Sequence, residues 1–109
     1  MNQCATHTQD GFEIVSVGGE VDLSWSSDVR KAILDALDKN GTLVDLSAVT
    51  YIDSSGIAAL VEGYQTAKSR GQRFGLLASS DPVIKVLELA RLDQVFPMYG
   101  SLQAAGEAG

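Results

Sequence analysis

The sequence predicts an α/β domain with a mixed sheet, because strand-like and helix-like segments alternate along the chain. Short apolar runs typical of buried strands occur at residues 12–17, 42–46 and 73–78. The segments between them repeat their apolar residues with the spacing of an amphipathic helix. The length of 109 residues suits one hydrophobic core, so we expect a single domain over residues 1–109.

The first half of the chain predicts a strand hairpin followed by a helix. An Asp-Gly turn at residues 10–11 separates a short strand over residues 3–7 from the strand over residues 12–17, which Gly18-Gly19 is expected to end. A helix is predicted over residues 25–39, and Asn40-Gly41 ends it. Its apolar face consists of Trp25, Val29, Ala32, Ile33, Ala36 and Leu37.

The second half repeats the alternation of strand and helix. Gly71 is expected to end the second helix, and Ser80-Asp81-Pro82 is a typical start of the third. The predicted order is a strand over residues 42–46, a helix over 55–70, a strand over 73–78, a helix from residue 81, a short strand over 95–99 and a helix over 101–108.

Charge and composition exclude several classes of function. The formal net charge is -6 with no cluster of basic residues, which argues against a nucleic-acid partner and against an anionic membrane surface. No apolar run is long enough to span a bilayer, and the N-terminus does not resemble a signal peptide. We therefore expect a cytoplasmic protein without direct membrane insertion.

The sequence has few residues suited to catalysis or to ligand binding. The chain has one histidine, His7, and one cysteine, Cys4, which together offer too few ligands for a metal site and no disulfide. There is no G-x-S-x-G elbow, no phosphate-binding loop and no dinucleotide fingerprint. The sequence predicts no enzyme, no catalytic residue, no metal and no cofactor.

The stretch Asp53-Ser54-Ser55-Gly56 lies where a strand is predicted to pass into the second helix. One interpretation is structural: Asp53 or Ser54 caps the helix by accepting from free backbone N–H groups. The other is a phosphoacceptor, because a phosphoryl group at a helix N-terminus meets free N–H groups and the positive end of the helix dipole. Two adjacent hydroxyls exceed what one cap needs, and Gly56 permits a close approach to the backbone.

Three landmarks then support a family resemblance. Gly-Glu-Val-Asp at 19–22, Val-Asp-Leu-Ser at 44–47 and Asp-Ser-Ser-Gly at 53–56 occur in this order, and about residues 10–105 resemble a STAS domain. The resemblance is strongest to the bacterial anti-sigma factor antagonists. It implies a mixed, mainly parallel sheet of about four to five strands, with about four helices packed mainly on one side.

The resemblance also implies a function as a phosphorylation switch. The unphosphorylated antagonist binds an anti-sigma factor that is a serine kinase, and so releases the sigma factor. The kinase modifies the serine after the motif aspartate, which is Ser54 here, and a PP2C-type phosphatase resets the switch. The alternative is a stand-alone STAS subunit of a lipid-transport ABC complex, in which the position of Ser54 is often another residue.

Further site residues follow from the same resemblance. Ser55 is a possible minor phosphorylation site, Asp53 and Gly56 shape the loop, and Asp22 should hydrogen-bond beside the phosphoacceptor. Trp25 is unusual next to this loop, and a packing role is favoured over a partner contact. The exposed side of the second helix should join the partner surface through Ala58, Ala59, Glu62 and Gly63.

Overall fold

The computed structural model describes residues 2–107. Strands and helices alternate through most of this range. The strands are β1 (Gln3–Gln9), β2 (Phe12–Val21), β3 (Thr42–Ile52), β4 (Phe74–Leu77) and β5 (Met98–Tyr99). The helices are α1 (Ser26–Leu37), α2 (Ser54–Ser69), α3 (Asp81–Leu89) and α4 (Leu102–Glu107).

The five strands form one mixed sheet in the order β1-β2-β3-β4-β5. β1 and β2 are antiparallel and are joined by a tight turn in which Asp10 and Gly11 have φ values of 52° and 84°. Each later neighbour pair is parallel, because a helical segment or long connection returns the chain to the opposite end of the sheet. The predicted mixed, mainly parallel sheet is confirmed.

Side chains that alternate along the strands divide the core between the two faces of the sheet. Val15 and Val44 lie in the larger cluster, which also includes buried residues of α1, α2 and α3. Ile14 and Leu43 point to the other face, where they pack with Ala105 of α4. Three helices therefore cover one face and only the short α4 lies on the other, as the predicted fold requires.

Three strands are longer than the sequence indicated: β1 extends by two residues, to Gln9, and β2 and β3 extend further. Gly18-Gly19 does not end β2. Gly19 adopts a φ of 95°, and the pairing with β3 shifts register before Gly18 and again after Gly19. These irregularities allow β2 to continue to Val21. β3 likewise runs without a break to Ile52 instead of stopping near residue 46.

The remaining element boundaries agree more closely. β5 is shorter than the predicted strand over residues 95–99, because Val95 and Phe96 donate to Leu92 O in a turn at 3.0 and 3.4 Å. The predicted last helix is present as α4, and its predicted end at Ala108 lies outside the described residues. No helix within residues 2–107 has the length and apolar character needed to cross a membrane.

The extended β2 and β3 bring two loops together. Val21 and Ile52 are paired neighbours at the carboxyl ends of these parallel strands. Asp53 N–H continues the pairing and donates to Val21 O at 3.2 Å. The loop that begins at Asp22 and the Asp53-Ser54-Ser55-Gly56 junction consequently leave the sheet side by side.

Candidate functional site

Asp53 caps the N-terminus of α2. Its backbone is extended, with φ of −108° and ψ of −172°. Its Oδ1 accepts from the backbone N–H groups of Ser55 and Gly56, at 2.9 and 3.3 Å, and from the Ser55 hydroxyl at 2.5 Å. The capping role proposed for Asp53 is confirmed, and the Ser55 hydroxyl takes part in the same hydrogen-bond network.

These hydrogen bonds lower the pKa of the Asp53 carboxyl group. The Ser55 hydroxyl has the largest effect, and the backbone amides of Gly56, Ser55 and Leu23 act in the same direction against partial burial. Asp53 is therefore a carboxylate at neutral pH. The two adjacent loops are joined directly by the hydrogen bond from Asp53 N–H to Val21 O at 3.2 Å.

Ser54 differs from Ser55 in both exposure and bonding. It is the first residue of α2 and is exposed, whereas Ser55 is half-buried. Within residues 2–107, no side-chain hydrogen bond involves the Ser54 hydroxyl. Its oxygen is therefore accessible as a nucleophile, while the Ser55 proton is donated to Asp53.

The expected setting for a phosphoryl group at the helix N-terminus needs one correction. The amides of Ser55 and Gly56, which would receive an added anion, already donate to Asp53. The Ile57 amide donates to Asp53 O at 3.0 Å. A phosphoryl group on Ser54 would therefore add charge beside an existing carboxylate instead of occupying a vacant set of N–H groups.

Gly56 allows α2 to start close to the sheet. A Cβ atom at this position would lie 2.6 Å from Ile52 Cγ1 and 2.8 Å from Val21 Cγ1. Both distances are well below ordinary carbon contacts. The close approach that the glycine permits is thus to the two strand ends below the loop, and it fixes the position of the first turn.

Asp22 does not make the expected hydrogen bond with Ser54. Its Oδ1 accepts from Ser24 N at 3.0 Å and from Ser24 Oγ at 2.6 Å. This is a local turn in which a side-chain oxygen accepts from the residue two positions on. The local donors satisfy the Asp22 oxygen, so its role is to shape the loop that adjoins Asp53.

The predicted partner surface on α2 is only partly exposed. Ala58 is exposed and Glu62 is partly exposed, and Arg30 Nη2 of α1 contacts Glu62 Oε2 at 2.7 Å. Ala59 and Gly63 do not belong to an exposed surface, because Ala59 is 4% exposed and Gly63 is buried. A Cβ on Gly63 would lie 2.7 Å from Ile33 Cγ2 of α1. These small residues serve the packing of α2 on its neighbours.

Two other residues considered from the sequence, Trp25 and His7, lie outside the centre of the site. Trp25 is partly buried and packs against the main core, as its packing interpretation predicts. His7 lies on the exposed edge strand β1, where its Nε2 is 3.2 Å from Gln9 Oε1. Among the described residues, no three His, Cys, Asp or Glu side chains are grouped as a metal site would require.

Leu23 is a residue that the sequence analysis did not single out. It follows Asp22 at the edge of the site, and its side chain is 79% exposed. The available signal was an apolar residue in a polar loop, between Asp22 and Ser24. Periodicity cannot show whether such a residue points into the core or into solvent.

Comparison with known proteins identifies relatives along most of the chain. The model of the STAS domain family matches residues 3–105. The anti-sigma-F factor antagonist RsfB of Mycobacterium tuberculosis is 31% identical over 100 residues, which cover 88% of this chain and 80% of the relative. An anti-sigma-B factor antagonist of Staphylococcus aureus is 30% identical over 90 residues, covering 80% and 82% of the two chains.

A solved structure is similar over nearly its whole length. The crystal structure of an anti-sigma factor antagonist from Mycobacterium paratuberculosis superimposes with a TM-score of 0.86 at 29% sequence identity. The match covers 99% of this chain and 93% of that chain. The mixed sheet and its helices are therefore shared with a protein of known fold, in the same order and at nearly the same size.

Proposed function

The chain belongs to the STAS domain family, and from this membership we propose that it is an anti-sigma factor antagonist switched by phosphorylation at Ser54. The unphosphorylated form binds an anti-sigma factor that is also a serine kinase, and this binding releases the sigma factor. Phosphorylation ends the complex, and a PP2C-type phosphatase restores the active form. In this proposal the 109 residues act as one cytoplasmic domain, which is a substrate of both enzymes and not itself an enzyme.

The observation that carries this proposal is the difference between the two adjacent serines. Ser54 is exposed at the first position of α2, whereas the Ser55 hydroxyl donates to Asp53 at 2.5 Å. A kinase needs a serine oxygen that it can reach and deprotonate. Phosphorylation of Ser55 would remove a hydrogen bond from the cap, whereas phosphorylation of Ser54 leaves the cap intact.

The same geometry explains how phosphorylation would end the complex. A phosphoryl group adds a charge of about −1.5 to −2 at neutral pH. The Asp53 carboxylate already occupies the nearest amides of α2, so the added charge stays directed outward. A partner that covers Ser54 together with Ala58 and Glu62 must then accommodate or repel a dianion in a desolvated interface.

The first test is intact-mass measurement with site mapping on protein purified from its native host. One phosphoryl group on Ser54 that a PP2C-type phosphatase removes would support the switch. Absence of a phosphoryl group in every growth condition would refute it and favour the lipid-transport subunit. The membrane complex that co-purifies with the chain would then be identified.

For the second test, the kinase is captured with the Ser54→Ala variant and then purified. The test compares how strongly variants of this chain bind the purified kinase. Ser54→Ala should bind and remain bound in the presence of ATP, whereas Ser54→Asp should bind poorly. Ser69→Asp is the matched control, because Ser69 is exposed at the other end of α2, about 22 Å away along the helix. Equal binding of Ser54→Ala and Ser54→Asp would contradict the charge mechanism.

A further inference from the structure

Leu23 is an exposed apolar side chain on a well-ordered support. Single exposed leucines are common on protein surfaces and need no explanation by themselves. Here the flanking loop is closed by hydrogen bonds from Trp25 and Ser26 N–H to Asp22 O, at 3.0 and 2.8 Å. The Asp22 side chain closes the same loop through Ser24. These bonds leave the backbone around Leu23 with little freedom.

The position of Leu23 is also fixed relative to Ser54. Leu23 lies two residues after Val21, whose carbonyl accepts from Asp53 N–H. That hydrogen bond, at 3.2 Å, holds the start of the Leu23 loop against the start of α2. A partner protein that covers the exposed Ser54 hydroxyl at the start of α2 therefore also contacts the loop that carries Leu23.

The surroundings of Leu23 carry negative charge. Glu20, Asp22 and Asp28 lie near it in the sequence, and Arg30, the nearest basic residue that follows, is paired with Glu62 at 2.7 Å. Asp53 adds a further carboxylate, because its backbone N–H donates to Val21 O where this loop begins. Leu23 is thus an exposed apolar side chain among several carboxylates, a combination that a partner complements with an apolar pocket bordered by basic side chains.

We infer that Leu23 is an apolar anchor through which the kinase of the proposed function binds this chain, and that the kinase offers it a pocket with a basic rim. The inference rests on that proposed function. It assigns most of the local affinity to the leucine, because a few buried apolar or aromatic anchors dominate typical interfaces. The acidic residues around it contribute mainly to the association rate and its dependence on salt.

The test compares Leu23→Ala with Leu89→Ala in binding to the purified kinase. Leu89 is 86% exposed on α3 and provides a control for loss of an exposed leucine elsewhere. Leu23→Ala should weaken binding about tenfold or more, and Leu23→Met should recover most of the loss. Leu89→Ala should change the affinity less than about twofold, and both alanine variants should retain the wild-type melting temperature.

The binding and phosphorylation results together test the anchor and the switch. If Leu23→Ala binds like the wild type while Ser54→Asp loses binding, the anchor is refuted and the switch stands. If the protein purified from its host carries no phosphoryl group on Ser54, the switch fails and the anchor fails with it. If Leu23→Ala weakens binding while the salt dependence of the affinity is unchanged from wild type, the separation of apolar and charged contributions is supported.

Discussion

Replacement of Gly56 by alanine tests how closely α2 packs on the strand ends. The added Cβ would lie 2.6 Å from Ile52 Cγ1 and 2.8 Å from Val21 Cγ1. Ile52 and Val21 are 4% and 1% exposed, so neither side chain has free space into which it can move. The first turn of α2 must shift outward, or both side chains must leave their preferred rotamers.

The expected magnitude follows from two opposing effects. Overpacking of a close-packed site costs about 1–3 kcal/mol, whereas replacing a helical glycine by alanine contributes at most about 1 kcal/mol. We expect a net loss of about 1–2 kcal/mol in the free energy of unfolding. For a domain of this size that corresponds to a decrease in melting temperature of about 4–10 °C.

Thermal and urea unfolding, followed by circular dichroism, would measure this loss. Gly106→Ala is the matched control, because Gly106 lies in α4 and a Cβ there would meet nothing within 4 Å. That variant should be as stable as the wild type or slightly more so. A Gly56→Ala protein as stable as the wild type would show that the start of α2 is not held against the strand ends as described.

Three further predictions concern the cap and a helix end. Ser55→Ala removes the hydroxyl bond to Asp53 and should cost about 1 kcal/mol of stability in urea unfolding, while mass spectrometry should still find phosphorylation at Ser54. Folding lowers the pKa of Asp53, so the ionised side chain stabilises the protein at neutral pH, and this effect is lost as the pH falls through the folded-state pKa. Asp53→Asn should therefore be less stable than the wild type at pH 7 and should lose less further stability on acidification. Urea unfolding at several pH values would measure both differences. Arg91→Gly should raise stability by about 1 kcal/mol, because Arg91 follows α3 with a φ of 58°, where glycine is favoured, and calorimetry would detect no change if this backbone were unstrained.

The order of strands and helices was predictable, because the spacing of apolar residues indicates which side chains are buried and differs between a strand and a helix. The extent of β2 was not, because the Gly18-Gly19 pair has two possible meanings. A glycine pair can end a strand, or it can introduce an irregularity that lets the strand continue. Only the pairing partner decides, and β3 supplies pairs on both sides of the irregularity.

The prediction of the candidate site was correct for the helix cap and wrong for the surface of α2, again because one residue type can have two structural roles. Local chemistry predicted Asp53 or Ser54 as the cap, and Asp53 has this role, since its partners lie two and three residues away. The resemblance to the STAS family placed Ala59 and Gly63 on the exposed side of α2. Small residues allow close contact between neighbouring elements. A Cβ atom added to Gly63 would lie 2.7 Å from Ile33 Cγ2, so the close packing of α2 on α1 explains the glycine.

The structure of the cap bears on how the proposed switch would act on its partner while preserving the fold. If the amides at the start of α2 were vacant, a phosphoryl group on Ser54 would gain hydrogen bonds within the chain, and part of its charge would be neutralised there. Asp53 already takes the amides of Ser55 and Gly56. The added charge therefore gains little inside the protein and repels an adjacent carboxylate, which favours an outward orientation. Under this mechanism, a partner covering Ser54 bears most of the cost of phosphorylation, so its affinity changes far more than the stability of the domain.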